Sequence, residues 1–284
     1  ADPNKPVFCA GWYISEGEDK RRYRDWKREG HGLTTLSKAI TESCDVYFYN
    51  LAYNMGIDDL SSFMQRFGFG HRTGIDIQGE MPGLMPTREW KKKVHHIRWF
   101  PGETILTGIG QGYTLATPIQ LASAVATMAT DGKRVKPRIV GVEEDASDGK
   151  KTVLEPQLED PLVLKDPSHW DYVKHAMLEV VHGAHGTARR ISWGLKGYKI
   201  AGKTGTAQVF GIKEDEEYNP DELEKRLHDH ALFIAYAPAD DPQIAIAVIV
   251  ENGGHAGATA APIARKVMDT FMKEQKVKAE SNKP

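Results

Sequence analysis

The chemically richest stretch of the chain is Lys203-Thr204-Gly205-Thr206, set in a strand-like run from 198 to 209. Lysine brings a compact positive charge, threonine brings hydroxyl donors, and Gly202 and Gly205 remove bulk that would keep another backbone away. Such a strand suits a carboxylate-bearing ligand. An edge strand with a glycine kink has the same composition, so a second chemical group is needed. One stands 160 residues earlier, at Ser43-Cys44-Asp45. It falls between two apolar stretches of helical character, Leu36 to Ile40 and Val46 to Leu51, where a serine hydroxyl can face a cleft. Three residues of this kind recur by chance in any chain of this length. Their order and distance relative to the lysine strand give them meaning.

The chain has two cysteines, Cys9 and Cys44. With Asp25 and His31 they supply two thiolates, a carboxylate and an imidazole, the donor types of a tetrahedral zinc shell. The spacing is not that of a zinc finger. A Cys9–Cys44 disulfide is an alternative, worth about 3–4 kcal/mol for a loop of that length in an oxidising compartment. Two unrelated buried thiols are the third option.

The elements that must hold these groups read as mixed α/β. Helical patterns fall near 34–55, 58–67, 117–130, 168–182 and 258–273, and strands at 198–209, 231–237 and 243–251. Thr117-Pro118-Ile119-Gln120 has a hydroxyl N-cap, a first-turn proline and a glutamine three residues on, which marks a helix start. Pro238 to Pro242 suits a hairpin connection between the last two strands. Three successive strands followed by a helix predict an antiparallel sheet flanked by helices. Glu143 to Lys151 and Gly211 to Glu224 read as charged loops, and the chain from Glu274 onward as a frayed tail.

Composition narrows the function. At 284 residues the chain can bury a substantial core, and a net charge of −2 argues against a dedicated nucleic-acid binder. Six Lys or Arg among Lys20 to Arg28 read as a solvated basic loop offset by nearby acidic residues. No run approaches the roughly 18 apolar residues that span a bilayer. The Gly108 to Gly112 run lacks the spacing of a dinucleotide loop.

Further blocks give the motifs a context. They are Tyr23-Arg24-Asp25-Trp26-Lys27 with Gly30-His31-Gly32, Met81-Pro82-Gly83, Met85 to Lys91, and Gly108 to Tyr113 leading into Thr117 to Gln120. Gly186-Thr187-Ala188 and Glu251-Asn252-Gly253-Gly254 follow. In this order they resemble the transpeptidase domain of class B penicillin-binding proteins, of the penicillin-binding protein 2 type that serves rod elongation. A serine β-lactamase or carboxypeptidase relative fits these blocks poorly.

The resemblance implies a D,D-transpeptidase that passes the acyl group of a D-Ala-D-Ala stem peptide to a serine and then to an amine, and that β-lactams acylate. Ser43 would relay a proton, Asp45 would hold the network in place of the commoner asparagine, and Lys203 would attract the substrate carboxylate. Thr204 and Thr206 would donate to that carboxylate, with Gly205 between them, and the Thr206 N–H would form half of the oxyanion hole. No catalytic cofactor is implied. The resemblance favours a structural zinc ion on Cys9, Asp25, His31 and Cys44. It also implies partnership with a membrane glycosyltransferase through the full-length protein, at the periplasmic face of the inner membrane.

One motif departs from the family. The S-x-x-K helix should precede Ser43, and none of the preceding 42 residues forms it. The literal match Ser147-Asp148-Gly149-Lys150 follows instead, in a segment with the marks of a tight turn. The expectation is therefore a partial transpeptidase domain over 1–275 with a disordered tail over 276–284. Its nucleophile and first strands would lie upstream, leaving this fragment inactive. The competing expectation is a non-catalytic, zinc-stapled module that docks elongation partners.

Overall fold

The computed structural model describes residues 2–15, 20–209 and 224–281. Its N-terminal part nests one hairpin inside another. The strands β1 (Val7–Cys9), β2 (Trp12–Ile14), β3 (Arg22–Arg24) and β4 (Gly32–Thr34) pair antiparallel, β1 with β4 and β2 with β3. A Cβ on Gly11 would stand 2.1 Å from the Arg28 carbonyl, and one on Gly30 2.2 Å from the Cys9 carbonyl. Only glycine at both positions lets the loop after β3 lie on the β1–β2 turn, which brings Asp25 toward Cys9.

Two helices follow, α1 (Leu36–Glu42) and α2 (Asp45–Met55), with Ser43 between them in the left-handed region at φ 59 and ψ 49. The expected helical stretch over 34–55 is thus two helices with the serine at the break. Next come α3 (Ile57–Arg66), α4 (Arg88–His95), α5 (Pro101–Thr107) and α6 (Pro118–Ala129). The helix start read at Thr117 is present: its hydroxyl accepts from the Gln120 N–H, and Gln120 Oε1 accepts from the Thr117 N–H. The helices α4 and α5 lie outside the helical patterns read from the sequence, being only eight and seven residues long. They form because the buried Lys91 ammonium meets Glu103 and lies against the rings of Phe100, Trp99 and Tyr113.

A peripheral unit holds β5 (Arg134–Val135), β6 (Val142–Glu144), β7 (Lys151–Val153) and β8 (Leu158–Glu159), paired as β5 with β8 and β6 with β7. The segment expected to be a loop over 143–151 is therefore a hairpin. Its strands are too short and too exposed to show a period of two. Ser147 sits in its turn and donates to Asp145 at 2.6 Å, so the literal S-x-x-K match lies on no helix.

The C-terminal part holds α7 (Ser168–His182), β9 (Ala201–Ala207), β10 (His230–Ala237), β11 (Ile244–Val250) and α8 (Ala260–Ser281). The three strands form one antiparallel sheet in the order β11-β10-β9, so β9 carries the lysine motif along an outer edge among the described residues. The main core joins Phe233 and Tyr236 of the sheet to Val125 of α6, Met177, Val180 and Val181 of α7, and Ala264 and Met268 of α8. Two expectations need correction. Beyond Glu274 the chain is not frayed but helical to Ser281, because Lys, Glu, Gln and Ala there are strong helix formers. The strand read over 198–209 is shorter, Ala201–Ala207. Apart from Glu224, the charged loop read over 211–224 lies outside the described residues.

The two glycines of the lysine strand differ in role. A Cβ on Gly202 would stand 2.6 Å from Phe233 Cζ and 2.8 Å from the Ile234 carbonyl oxygen, whereas one on Gly205 meets only Leu232 Cβ at 3.4 Å. Gly202 lets β9 close on β10, whereas a Cβ at Gly205 would be in ordinary van der Waals contact. Gly202→Ala is therefore expected to destabilise the domain by about 1–3 kcal/mol through overpacking. Gly205→Ala should melt near the wild-type temperature. Thermal denaturation of both variants checks this, and equal melting would show that the clash at Gly202 relaxes freely.

Candidate active site and metal centre

The fold brings the two motifs together. Lys203 Nζ donates to Ser43 Oγ at 2.7 Å and to the Thr204 carbonyl at 2.8 Å, joining residues 160 apart in sequence. Lys203 reaches Ser43 because the α1–α2 break faces β9, and the left-handed Ser43 backbone ends α1 at that point. Asp45 stands in the first turn of α2 and accepts the Trp26 backbone N–H at 3.1 Å. Burial, then the nearby Asp25 charge, push the Asp45 carboxyl up to about 7, with the Trp26 N–H and Lys203 working against the rise. Burial brings Lys203 down to about 8, and the Asp45 charge opposes this. The lysine is thus a cation that can shed its proton near neutral pH, next to a hydroxyl able to pass one on.

The outer edge of β9 is the other half of this site. Gln111 Nε2, from the glycine loop before α6, donates to the Thr206 carbonyl at 3.0 Å. In an antiparallel strand a residue's N–H and C=O point to the same side. The Thr206 N–H therefore also faces the outer edge of β9. The Thr204 hydroxyl, expected to donate to a carboxylate, pairs with that of Thr187 at 2.8 Å. Sequence reading had assigned no role to Gln111 or Thr187, although both lie in blocks already singled out, Gly108 to Tyr113 and Gly186-Thr187-Ala188.

Behind Ser43 lies the four-residue cluster. Cys9, Asp25, His31 and Cys44 are all buried, and one donor atom from each lies within 4.8 Å of every other. Both thiols donate to Asp25 Oδ2, Cys9 at 3.5 Å and Cys44 at 3.4 Å. His31 Nδ1 stands 3.6 Å from Cys9 Sγ and 3.4 Å from Asp25 Oδ1. Ordinary zinc–sulfur, zinc–nitrogen and zinc–oxygen bonds arranged tetrahedrally would separate their ligands by about 3.3–3.8 Å. The donor set and its spacings fit such an ion. Burial also pushes the Cys44 thiol far above its ordinary range. Both cysteines are free. Asp25 Oδ2 further accepts the Val46 N–H at 3.2 Å, so the cluster serves the N-terminus of α2, where Cys44 makes no side-chain cap.

This arrangement has clear relatives. The penicillin binding protein transpeptidase domain family matches residues 1–269. The peptidoglycan D,D-transpeptidase MrdA of Haemophilus influenzae is 48% identical over 278 residues, covering 96% of this chain and 41% of the relative. The MrdA of Escherichia coli K12 is 44% identical over 269 residues, covering 95% and 42%. The chain thus spans about two fifths of the length of these curated relatives. Among solved structures, Pseudomonas aeruginosa PBP2 in complex with WCK 5153 superposes with a TM-score of 0.81 at 45% identity, covering 95% of this chain and 54% of that one. Helicobacter pylori PBP2, solved in complex with MreC, gives 0.80 at 31% identity, covering 96% and 46%. By its mixed α/β fold and by sequence, the chain belongs to the penicillin-binding protein transpeptidase domains, in their PBP2 (MrdA) group.

Proposed function

We propose that this chain forms two walls of the acyl-transfer cleft of a peptidoglycan D,D-transpeptidase serving cell elongation. The observation that carries this reading is the 2.7 Å contact between Lys203 Nζ and Ser43 Oγ, which places a lysine-borne charge and a relay hydroxyl at one point beside an open strand edge. In the reaction, a serine oxygen attacks the carbonyl between the two D-alanines, and the C–N bond breaks. The proton leaving that serine passes through Ser43 to the departing amine. Lys203 holds the substrate carboxylate together with the Thr204 and Thr206 hydroxyls, while the Thr206 N–H stabilises the oxyanion. The ester is then attacked by an amine of a neighbouring strand.

The reading requires a nucleophilic serine on an S-x-x-K helix, a pattern that no helix among the described residues carries. The one S-x-x-K match is held in the β6–β7 turn. The 284-residue chain is therefore expected to form no covalent adduct with a fluorescent penicillin. A longer protein that adds an S-x-x-K helix should label stoichiometrically. Intact-mass spectrometry checks both, and an adduct on the short chain at Ser147 would overturn the assignment.

The reading extends to a structural zinc ion on Cys9, Asp25, His31 and Cys44, supported by the 3.4–3.6 Å contacts among their donor atoms. Zinc would hold the loop after β3 against Ser43 and supplies no chemistry to acyl transfer. The alternative of a non-catalytic, zinc-stapled docking module rests on the same cluster and predicts that no longer form labels. No helix among the described residues is long and apolar enough to cross a membrane. The proposed site of action, the periplasmic face of the inner membrane beside a membrane glycosyltransferase, rests on the kinship to MrdA and on the MreC complex of the H. pylori relative.

A further inference from the structure

We infer that Trp26 is a positioning residue for the relay serine, an inference that rests on the cleft assigned above. Among the described residues Trp26 makes three hydrogen bonds, all to the segment 42–45. Its backbone N–H donates to Asp45 Oδ2 at 3.1 Å, and its indole Nε1–H donates to the carbonyls of Glu42 at 3.1 Å and Ser43 at 2.8 Å. Trp26 is 56% exposed, so hydrophobic burial does not explain a tryptophan here. Its N–H does.

The carbonyls at a helix C-terminus have no partner inside the helix. Ser43, the residue that ends α1, is held at φ 59, a region that non-glycine residues seldom occupy. The easiest relaxation of such a turn is rotation of the peptide that follows Ser43. That motion would swing the Ser43 carbonyl away and carry Oγ off Lys203 Nζ. One indole N–H shared between the two carbonyls opposes the rotation. The loop bearing Trp26 is itself fixed, because Asp25 Oδ1 accepts the Lys27 N–H at 3.0 Å and the indole lies edge-on to the His31 ring at 5.6 Å. Trp26 thus transmits the rigidity of the buried cluster to the serine, touching neither its hydroxyl nor the lysine.

The test uses a full-length protein that carries its nucleophile. Trp26→Phe keeps a ring beside His31 and deletes the N–H. The expected result is a fall of roughly tenfold in the rate constant of acylation by a β-lactam, with non-covalent binding and zinc content unchanged, as for small displacements of a reacting group. Trp26→His, which restores a ring N–H, should recover part of the loss. In a Ser43→Ala background, Trp26→Phe should add no further loss, because its effect runs through that serine. An equal further loss in that background would show a general structural role and overturn the inference. So would unchanged acylation in Trp26→Phe. Should Ser43→Ala itself leave acylation intact, the cleft assignment falls and this inference with it; loss in Ser43→Ala alone removes only the role of Trp26.

Discussion

In a full-length protein that supplies the nucleophilic serine, Lys203→Ala and Ser43→Ala each slow acylation by a β-lactam by on the order of a hundredfold or more. Melting should change far less. The size follows from what each substitution removes. Ser43→Ala deletes the hydroxyl that carries the proton to the leaving nitrogen, and Lys203→Ala deletes the charge that holds the substrate carboxylate and the donor that orients Ser43 at 2.7 Å. Neither side chain is a large apolar core group, so lost packing is not the main effect. Lys203 also predicts a pH limb. Burial brings it down to about 8, so it is a cation below that pH and loses its proton above it. Acylation should then fall on the alkaline side of about 8, and the limb should be missing in Lys203→Ala. Acylation within a few-fold of wild type in both variants, with unchanged melting, would show that the cleft has been placed on the wrong residues.

The parts of this site legible in the sequence are those whose side chains meet other side chains. Lys203 and Ser43 stand in short motifs with fixed order, and the four cluster residues announce themselves by donor type. The strands that place them were partly legible. Ile244–Val250 is a continuous apolar run and His230–Ala237 nearly one, but the three-residue strands of the N-terminal hairpins are too short to show a period. Trp26 and Gln111 were missed as contributors for a different reason. Each acts by donating to a backbone carbonyl, and every residue has a carbonyl, so no partner is written in the sequence. The helix beyond Glu274 is hidden by its place at the chain terminus, where fraying is the ordinary expectation, although the residues there have a helical preference.

The cluster behind Ser43 makes the second large prediction. Protein prepared without chelator should carry about one zinc per chain, with Cys9 and Cys44 protected from alkylation until a chelator is added. Four buried donors from three separate segments, β1, the loop between β3 and β4, and the start of α2, are held together at this point. Removing the ion takes a shared partner from the two thiols, the Asp25 carboxylate and the His31 ring, and leaves them held only by the contacts among themselves. Zinc removal should therefore lower the melting temperature by several degrees or more. His31→Ala leaves three ligands and an open position, and should lower both affinity and melting. The difference between His31→Ala and wild type should shrink once both are stripped of metal, because the lost ligand matters chiefly when there is an ion to bind. Burial holds the Cys44 thiol protonated at neutral pH in the metal-free protein. Zinc binding must then release protons, and affinity must weaken as pH falls. A Cys9–Cys44 disulfide predicts the opposite pattern: no free thiols without reductant, indifference to chelator, and no metal-dependent effect of His31→Ala. Elemental analysis with a non-reducing mass measurement separates the two, and an oxidised pair without zinc would end the metal assignment.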